Sequence, residues 1–222
     1  MKRVLVCLLF TLICVIPDIT FAALEDYEVV ASCEVYQVFL YAQKRNGMYE
    51  NFQIVYKGGI VSKENWVNVT NETYAPKIMI EDIGGDETPE IVIVLTKGYG
   101  TSVLDQEVHV LQSEGNGLKE LTVENALSFI DKNVRTFFLQ NIVVIKIGNK
   151  KAIIDISHIP VEQRFDNVFF GNIVKYEVEN NRLRATLYGH VAPSYSVGIL
   201  NISYKLYDEV LKVEDIFFQE IK

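Results

Sequence analysis

The dominant pattern in this chain is an alternation with a period of two residues, rich in aromatic and β-branched side chains. It is clearest in residues 33–42 (CEVYQVFLYA), where successive side chains would point to opposite faces of an extended strand. KRNG follows soon after, and its Asn46-Gly47 pair is a common two-residue turn of β-hairpins. The pattern predicts a mainly β fold of antiparallel strands and hairpins, arranged as propeller-like blades or as a sandwich.

Similar runs predict further strands along the rest of the chain, at residues 51–57, 60–69, 77–81, 90–96, 106–111, 139–147, 151–157, 172–179, 182–191, 197–207 and 210–219. One segment has a different period, because apolar residues at 123, 126, 127, 130 and 134 would share one face of a helix. We therefore expect one amphipathic helix at 123–135, with Thr122 as its N-cap. Residues 23–222 should form a single mainly β domain, or two lobes that meet near 113–117.

The first 22 residues have the organisation of an export signal. Lys2 and Arg3 supply a positive start, residues 4–16 are almost wholly apolar, and Ala22 ends a stretch suited to cleavage. The apolar run is shorter than the roughly 20 residues that a membrane-spanning helix needs. A buried amino-terminal strand is the alternative. We expect a secreted or cell-surface protein that begins at Ala23, with no transmembrane segment after cleavage.

Such a cleavage leaves one cysteine. Cys7 and Cys14 depart with the signal, so Cys33 has no internal disulfide partner, and pairing between chains stays open. Small exported eukaryotic domains are usually cross-linked by disulfides, whereas about 200 residues can bury enough surface without them. An exported chain of this kind points to a bacterial protein.

The charge balance argues against one class of partner. The formal net charge is -8, and lysines and arginines form no cluster along the sequence. A nucleic-acid-binding protein needs a basic surface to neutralise phosphates. We therefore expect no nucleic-acid partner.

The stretch EDIGGDETPEIVIV, which begins at Glu81, combines acidic residues with glycines between two predicted strands. Calcium takes six to eight oxygen ligands, and Asp82, Asp86 and Glu90, with the Thr88 carbonyl, are the candidates here. The other interpretation is a hairpin corner in which the acids only solvate a turn.

This stretch, at residues 80–95, resembles the calcium loop of FG-GAP and VCBS repeats, D-x-D-G-D-G-x-x-E. Asp82, Asp86 and Glu90 match its first, fifth and ninth positions. Gly84 replaces the third acid, and Glu87 replaces the glycine after the central acid. The resemblance implies a calcium site that has lost a ligand and binds weakly or not at all. The wider run through KGYGT is similar to exported, mostly uncharacterised proteins of Bacillus and relatives, and it implies no known activity.

Few other residues suggest chemistry. Tyr99, in the glycine loop KGYGTS, is a candidate for contacting a sugar or a protein partner. The three histidines have no zinc-binding spacing, and only a triad assembled by the fold, such as Ser102, Asp105 and His109, would supply a nucleophile. We therefore expect a non-enzymatic module that binds an extracellular protein or a polysaccharide polymer. A secreted hydrolase acting on cell-wall polymer or peptide is the alternative.

Overall fold

The computed structural model describes residues 26–115 and 117–221, so the predicted signal segment lies outside the described residues. The described residues form sixteen strands and one α-helix, α1 (Ala126–Asn133), which confirms the mainly antiparallel β class with a single helix. The strands are β1 (Glu28–Cys33), β2 (Val38–Arg45), β3 (Met48–Tyr56), β4 (Gly59–Lys63), β5 (Asn68–Val69), β6 (Lys77–Glu81), β7 (Glu90–Gly100), β8 (Val103–Glu114), β9 (Gly117–Val123), β10 (Val134–Leu139), β11 (Ile142–Ile147), β12 (Lys150–Asp155), β13 (Ile173–Glu179), β14 (Arg182–Ala192), β15 (Tyr195–Tyr207) and β16 (Val210–Glu220).

The first sheet has the order β1-β2-β3-β4, with the short β5 also on β3. Its β2–β3 hairpin turns at Asn46 and Gly47, which both have positive φ (50° and 79°), as the sequence predicts. The predicted strand at 33–42 is wrong in its first half. A 3₁₀ turn at Glu34–Tyr36 and the left-handed Gln37 (φ 53°) separate β1 from β2, and Val35 is 90% exposed.

The second sheet contains eight strands in the order β13-β14-β15-β16-β9-β8-β7-β6. The strand β8 pairs along one edge with β7, and its other edge pairs with β9 at one end and with β13 at the other. The six strands from β13 to β8 therefore form a closed circuit, from which β7 and β6 extend. The two short parallel pairings, β13–β8 and β16–β9, close it.

The third sheet is a three-stranded meander, β10-β11-β12, that follows α1 directly. The helix is shorter than predicted: it begins after Asn125, whose side chain accepts a hydrogen bond from the Ser128 N–H (2.9 Å), and not after Thr122. Val123 and Val134 fit the helical spacing, but they belong to the strands on either side. No helix among the described residues is long and apolar enough to span a bilayer.

Buried apolar residues form two cores on the two faces of β7. Val92 and Val94 face the larger core, which lies inside the closed circuit and includes the inner face of the three-stranded sheet and α1. Ile91, Ile93 and Leu95 face the smaller core, which the first sheet covers. Because both of its faces are buried, this strand reads as a continuous apolar run in the sequence.

Candidate functional site

The acidic turn between β6 and β7 is held by its own carboxylates. Asp82 Oδ1 accepts from the N–H groups of Gly85 (2.6 Å) and Asp86 (3.1 Å), and its Oδ2 accepts from that of Glu87 (2.9 Å). Positive φ at Gly85 (76°) and Glu87 (68°) curls the backbone around this carboxylate. The Asp86 side chain accepts from the Thr88 N–H (2.9 Å). In a calcium loop a bound cation would offset the charge of these carboxylates. Here backbone N–H groups donate hydrogen bonds to them instead.

Glu90 closes the turn from the β7 side. It is fully buried, and its Oε2 accepts from the N–H groups of Ile83 (3.0 Å) and Gly84 (3.1 Å). Burial raises the pKa of Glu90, the two amide donors oppose this, and the charges of Asp86 and Asp82 add to the rise. Its Oε1 is buried without a hydrogen-bond partner. This carboxylate therefore anchors the base of the loop.

The fit of the three predicted ligands to calcium is poor. Over the described ranges, no group of three or more His, Cys, Asp or Glu side chains converges as metal ligands do. Asp82 and Asp86 point at separate backbone amides, and Gly84 offers no carboxylate. The geometry favours the hairpin-corner interpretation, and calcium binding stays a prediction for experiment.

Tyr99 lies at the end of β7 and is 45% exposed. Its ring stacks on Tyr74, with centroids 4.4 Å apart, and its hydroxyl accepts a hydrogen bond from Asn71 Nδ2 (3.0 Å). The side chain is therefore fixed in one orientation while much of it stays accessible. Its predicted role in binding is compatible with this position and stays a prediction.

The fold does not assemble Ser102, Asp105 and His109 into a triad. Ser102 is in the turn before β8, and along an extended strand it lies about 20 Å from His109. His109 Nδ1 instead pairs with Glu120 Oε1 (2.8 Å), and its ring stacks on Trp66 at 3.9 Å between centroids. The ring is buried, and its Nε2 has no hydrogen-bond partner. This histidine is therefore a packed group and does not face a substrate cleft.

Sequence reasoning missed the polar cluster around this histidine. Glu120 on β9 also accepts from Lys63 Nζ on β4 (2.5 Å), which joins the first sheet to the second. Burial opposes ionisation of Glu120, but hydrogen bonds from His109 and Lys63 outweigh it and lower its pKa to about 2. His109, Glu120 and Lys63 come from three separate strands, so no local sequence motif indicates the cluster.

One hollow lies between α1 and the loop at 165–172, a region where sequence reasoning proposed no site. It has a volume of about 690 Å³, within the usual range for ligand sites. Its apolar lining comes from Leu127, Ile130, Phe165, Val168, Phe169 and Phe170, and polar side chains are contributed by Asp131, Asn167 and Asn172. We call this hollow the aromatic groove. Its signal in the sequence was the run FDNVFFGN, which has no recognisable spacing.

Phe169 is the exposed wall of the aromatic groove, and both its backbone and its ring contact the surrounding chain. Its backbone exchanges two hydrogen bonds with His190, both of 2.9 Å. Its ring covers Gly171, where an added Cβ would lie only 2.7 Å from the ring. The side chain is nevertheless 51% exposed, whereas its neighbour Phe170 is buried in the larger core. The loop thus presents the ring of Phe169 to solvent from a backbone that is hydrogen-bonded to β14.

Comparisons of this chain with protein-family models, curated proteins and solved structures find no match. The likeness to FG-GAP and VCBS loops therefore stays a prediction from residues 80–95. The fold and the geometry define a mainly antiparallel β protein with two cores and an aromatic groove, and the functional argument depends on that geometry.

Proposed function

We propose that this protein is an exported, non-enzymatic β module that binds an extended segment of a protein or a polymer in the aromatic groove. The amino-terminal pattern supports export, since a basic start precedes a short apolar run. The groove supports binding, because it combines apolar walls with three polar side chains at one place on the surface.

The observation that carries the proposal is the half-exposed ring of Phe169, which packs over Gly171 on a backbone hydrogen-bonded to His190. Exposed aromatic rings dominate many binding surfaces, and a ring that is already fixed loses little conformational entropy when a partner covers it. Full burial of a phenylalanine side chain contributes about 1.5–3 kcal/mol, so covering the exposed half contributes roughly 1 kcal/mol. Asp131, Asn167 and Asn172 would add hydrogen bonds that orient the partner.

The groove suits a long ligand better than a compact one. A second hollow of about 230 Å³ shares Ile130, Asp131 and Asn167 with it and continues toward Arg135 and Thr136. The combined surface therefore follows one side of α1 from Leu127 to the start of β10. A chain-like partner could occupy both hollows in sequence.

The test is co-sedimentation with insoluble cell-wall polymer, together with capture from cell-surface protein fractions. Phe169→Ala should weaken the affinity for the polymer or protein that the original chain binds by about five- to tenfold, because the exposed half of the ring is lost. Phe217→Ala is the matched control, since Phe217 is 44% exposed on β16 and does not line the groove. An equal loss of binding in both variants would contradict the assignment of the binding site to the groove. Release of soluble fragments from the polymer would instead support the hydrolase alternative.

A further inference from the structure

The three-stranded sheet has an outer face opposite to the one it buries in the larger core. Residues directly opposite each other in an antiparallel sheet share a face, so the register assigns nine residues to this outer face in three rows. The rows are Arg135, Lys146 and Lys151; Phe137, Val144 and Ile153; and Leu139, Ile142 and Asp155. We call them the basic row, the central row and the far row.

The central and far rows leave large apolar side chains in solvent. Phe137 is 46% exposed, Leu139 57% and Ile153 54%. A sheet face that borders only water normally carries polar residues, so an apolar face of this kind marks a contact site. None of these three side chains lines the aromatic groove, so the face is a separate surface.

The basic row places three cations directly opposite one another, which destabilises an isolated sheet. Within the described part of the chain, no carboxylate lies within 4.0 Å of any of the three to compensate. Lys132 at the end of α1 and Lys150 on β12 share an adjacent hollow with Arg135 and Lys146. Asp215 is the one carboxylate that lines this hollow, and Lys150 pairs with Ile147, outside the basic row. Five cations and one carboxylate thus lie at this end of the sheet, on a protein whose formal net charge is -8.

We propose that this face rests on the surface of a bilayer that contains anionic lipids. The cations would meet lipid phosphates, and the central row would enter the boundary between headgroups and acyl chains. Lys146 already has both environments, because its Nζ lies 5.4 Å from the centre of the Phe137 ring. Apolar side chains bordered by lysine and arginine are the combination that interfacial membrane proteins use.

Other ligands would use only part of this surface. A small anion would engage the basic row and leave the apolar side chains in water. A protein partner needs about 800 Å² on each side, whereas the grid of nine residues measures only about 10 by 14 Å between Cα atoms. A bilayer accepts a small patch because it surrounds whatever side chains enter it.

Asp155 fixes how the face would lie. It is in the far row, about 14 Å along β12 from Lys151. Its carboxylate accepts from the Ser157 N–H (2.8 Å), and a negative charge is unfavourable near anionic lipid. The protein should therefore tilt, with the basic and central rows on the membrane and Asp155 in water.

Vesicle flotation tests the proposal, with phosphatidylcholine vesicles that either lack or contain phosphatidylglycerol. The full chain should bind the anionic vesicles, and binding should weaken as salt is added. Substituting Arg135, Lys146 and Lys151 with Gln together should lower partitioning about 100-fold, since each cation near such a surface contributes about fivefold. Phe137→Ser with Ile153→Ser should also reduce binding to the anionic vesicles.

The control replaces Lys44, Lys77 and Lys212 with Gln, which removes the same charge from exposed positions elsewhere. It should bind within about twofold of the original chain. Every variant keeps the same amino terminus, so that segment contributes equally to all of them. Equal binding by the basic-row variant and its control would overturn the proposal. So would binding to polyglutamate without binding to vesicles, which would assign the face to an acidic protein partner.

Discussion

Replacement of Glu90 by Ala is the most direct test of what holds the acidic turn. The fully buried side chain accepts from two backbone N–H groups, those of Ile83 and Gly84. The Ile83 N–H also donates to the Glu81 carbonyl (3.0 Å), so it keeps one partner after the substitution. The Gly84 N–H loses its partner. The change therefore removes two charge-assisted bonds but leaves only one backbone donor to be satisfied by water.

The expected cost follows from these contacts. A hydrogen bond to a charged group contributes about 1.5–3 kcal/mol, and removal of a buried charge returns part of that. We expect Glu90→Ala to lower the free energy of unfolding by about 2–3 kcal/mol. For a chain of this length, each kcal/mol lost from the free energy of unfolding lowers the Tm by about 2–4 °C. The Tm should therefore fall by about 4–12 °C. Differential scanning calorimetry and urea titration of the same preparations measure both quantities.

Two variants separate the causes. Glu90→Gln keeps an acceptor oxygen for the amides and removes the buried charge, so its stability should stay within about 1 kcal/mol of the original. Glu87→Ala, at an exposed position in the same loop, should change stability by no more than about 0.5 kcal/mol. If the Gln variant melts as low as the Ala variant, the negative charge itself is required. The amide-anchor reasoning would then be refuted.

Three further predictions use the same preparations. The Tm should be the same, within about 1 °C, in calcium and in chelator, both for the original chain and for Asp86→Asn. A rise in Tm with calcium that Asp86→Asn abolishes would show a working site. Glu120→Gln should lower the free energy of unfolding by about 1 kcal/mol at neutral pH. The value is small because the Glu120 side chain is one-third exposed, and solvent weakens its ion pairs. Because its folded pKa is about 2 against an ordinary 4.5, that difference should vanish as the pH falls from about 4.5 to 2, and a pH-independent difference would contradict the ion-pair origin. Mass spectrometry of the exported protein should find a chain that begins at Ala23, and recovery only of the uncleaved chain would contradict export.

Turns were the most predictable part of the fold, because their cause is local. Asn46 and Gly47 adopt the positive φ that the hairpin requires, and Asn180 and Asn181 do the same between β13 and β14. Asparagine and glycine tolerate this conformation, and few other residues do. The sequence therefore indicates where the chain reverses direction even where the strand limits are off by several residues.

The helix shows where periodicity fails. Apolar residues from Val123 to Val134 fit one helical face, yet β9 continues through Val123 and β10 begins at Val134. Over so short a window, strand ends and a two-turn helix give the same spacing. Only the Asn125 cap marks the true start, and an asparagine is equally common in turns.

Both candidate surfaces were invisible because they depend on contacts between distant residues. Arg135, Lys146 and Lys151 are separated by eleven and five positions in the sequence, so they form no linear cluster. The strand register places them side by side. Likewise, the aromatic groove combines α1 with a loop some forty residues later. Local patterns predict elements, whereas such surfaces require the topology.

The acidic turn shows why a calcium-loop pattern alone does not decide what the loop binds. Three successive N–H groups, those of Gly85, Asp86 and Glu87, donate to the Asp82 carboxylate and form a small anion-binding nest. A cation and such a nest stabilise the same carboxylate at the same position, so either one maintains the spacing of the acids. Because the nest satisfies Asp82, a glycine at position 84, where a calcium loop has its third acid, is compatible with a folded corner. The turn can therefore keep the outline of a calcium loop for purely architectural reasons.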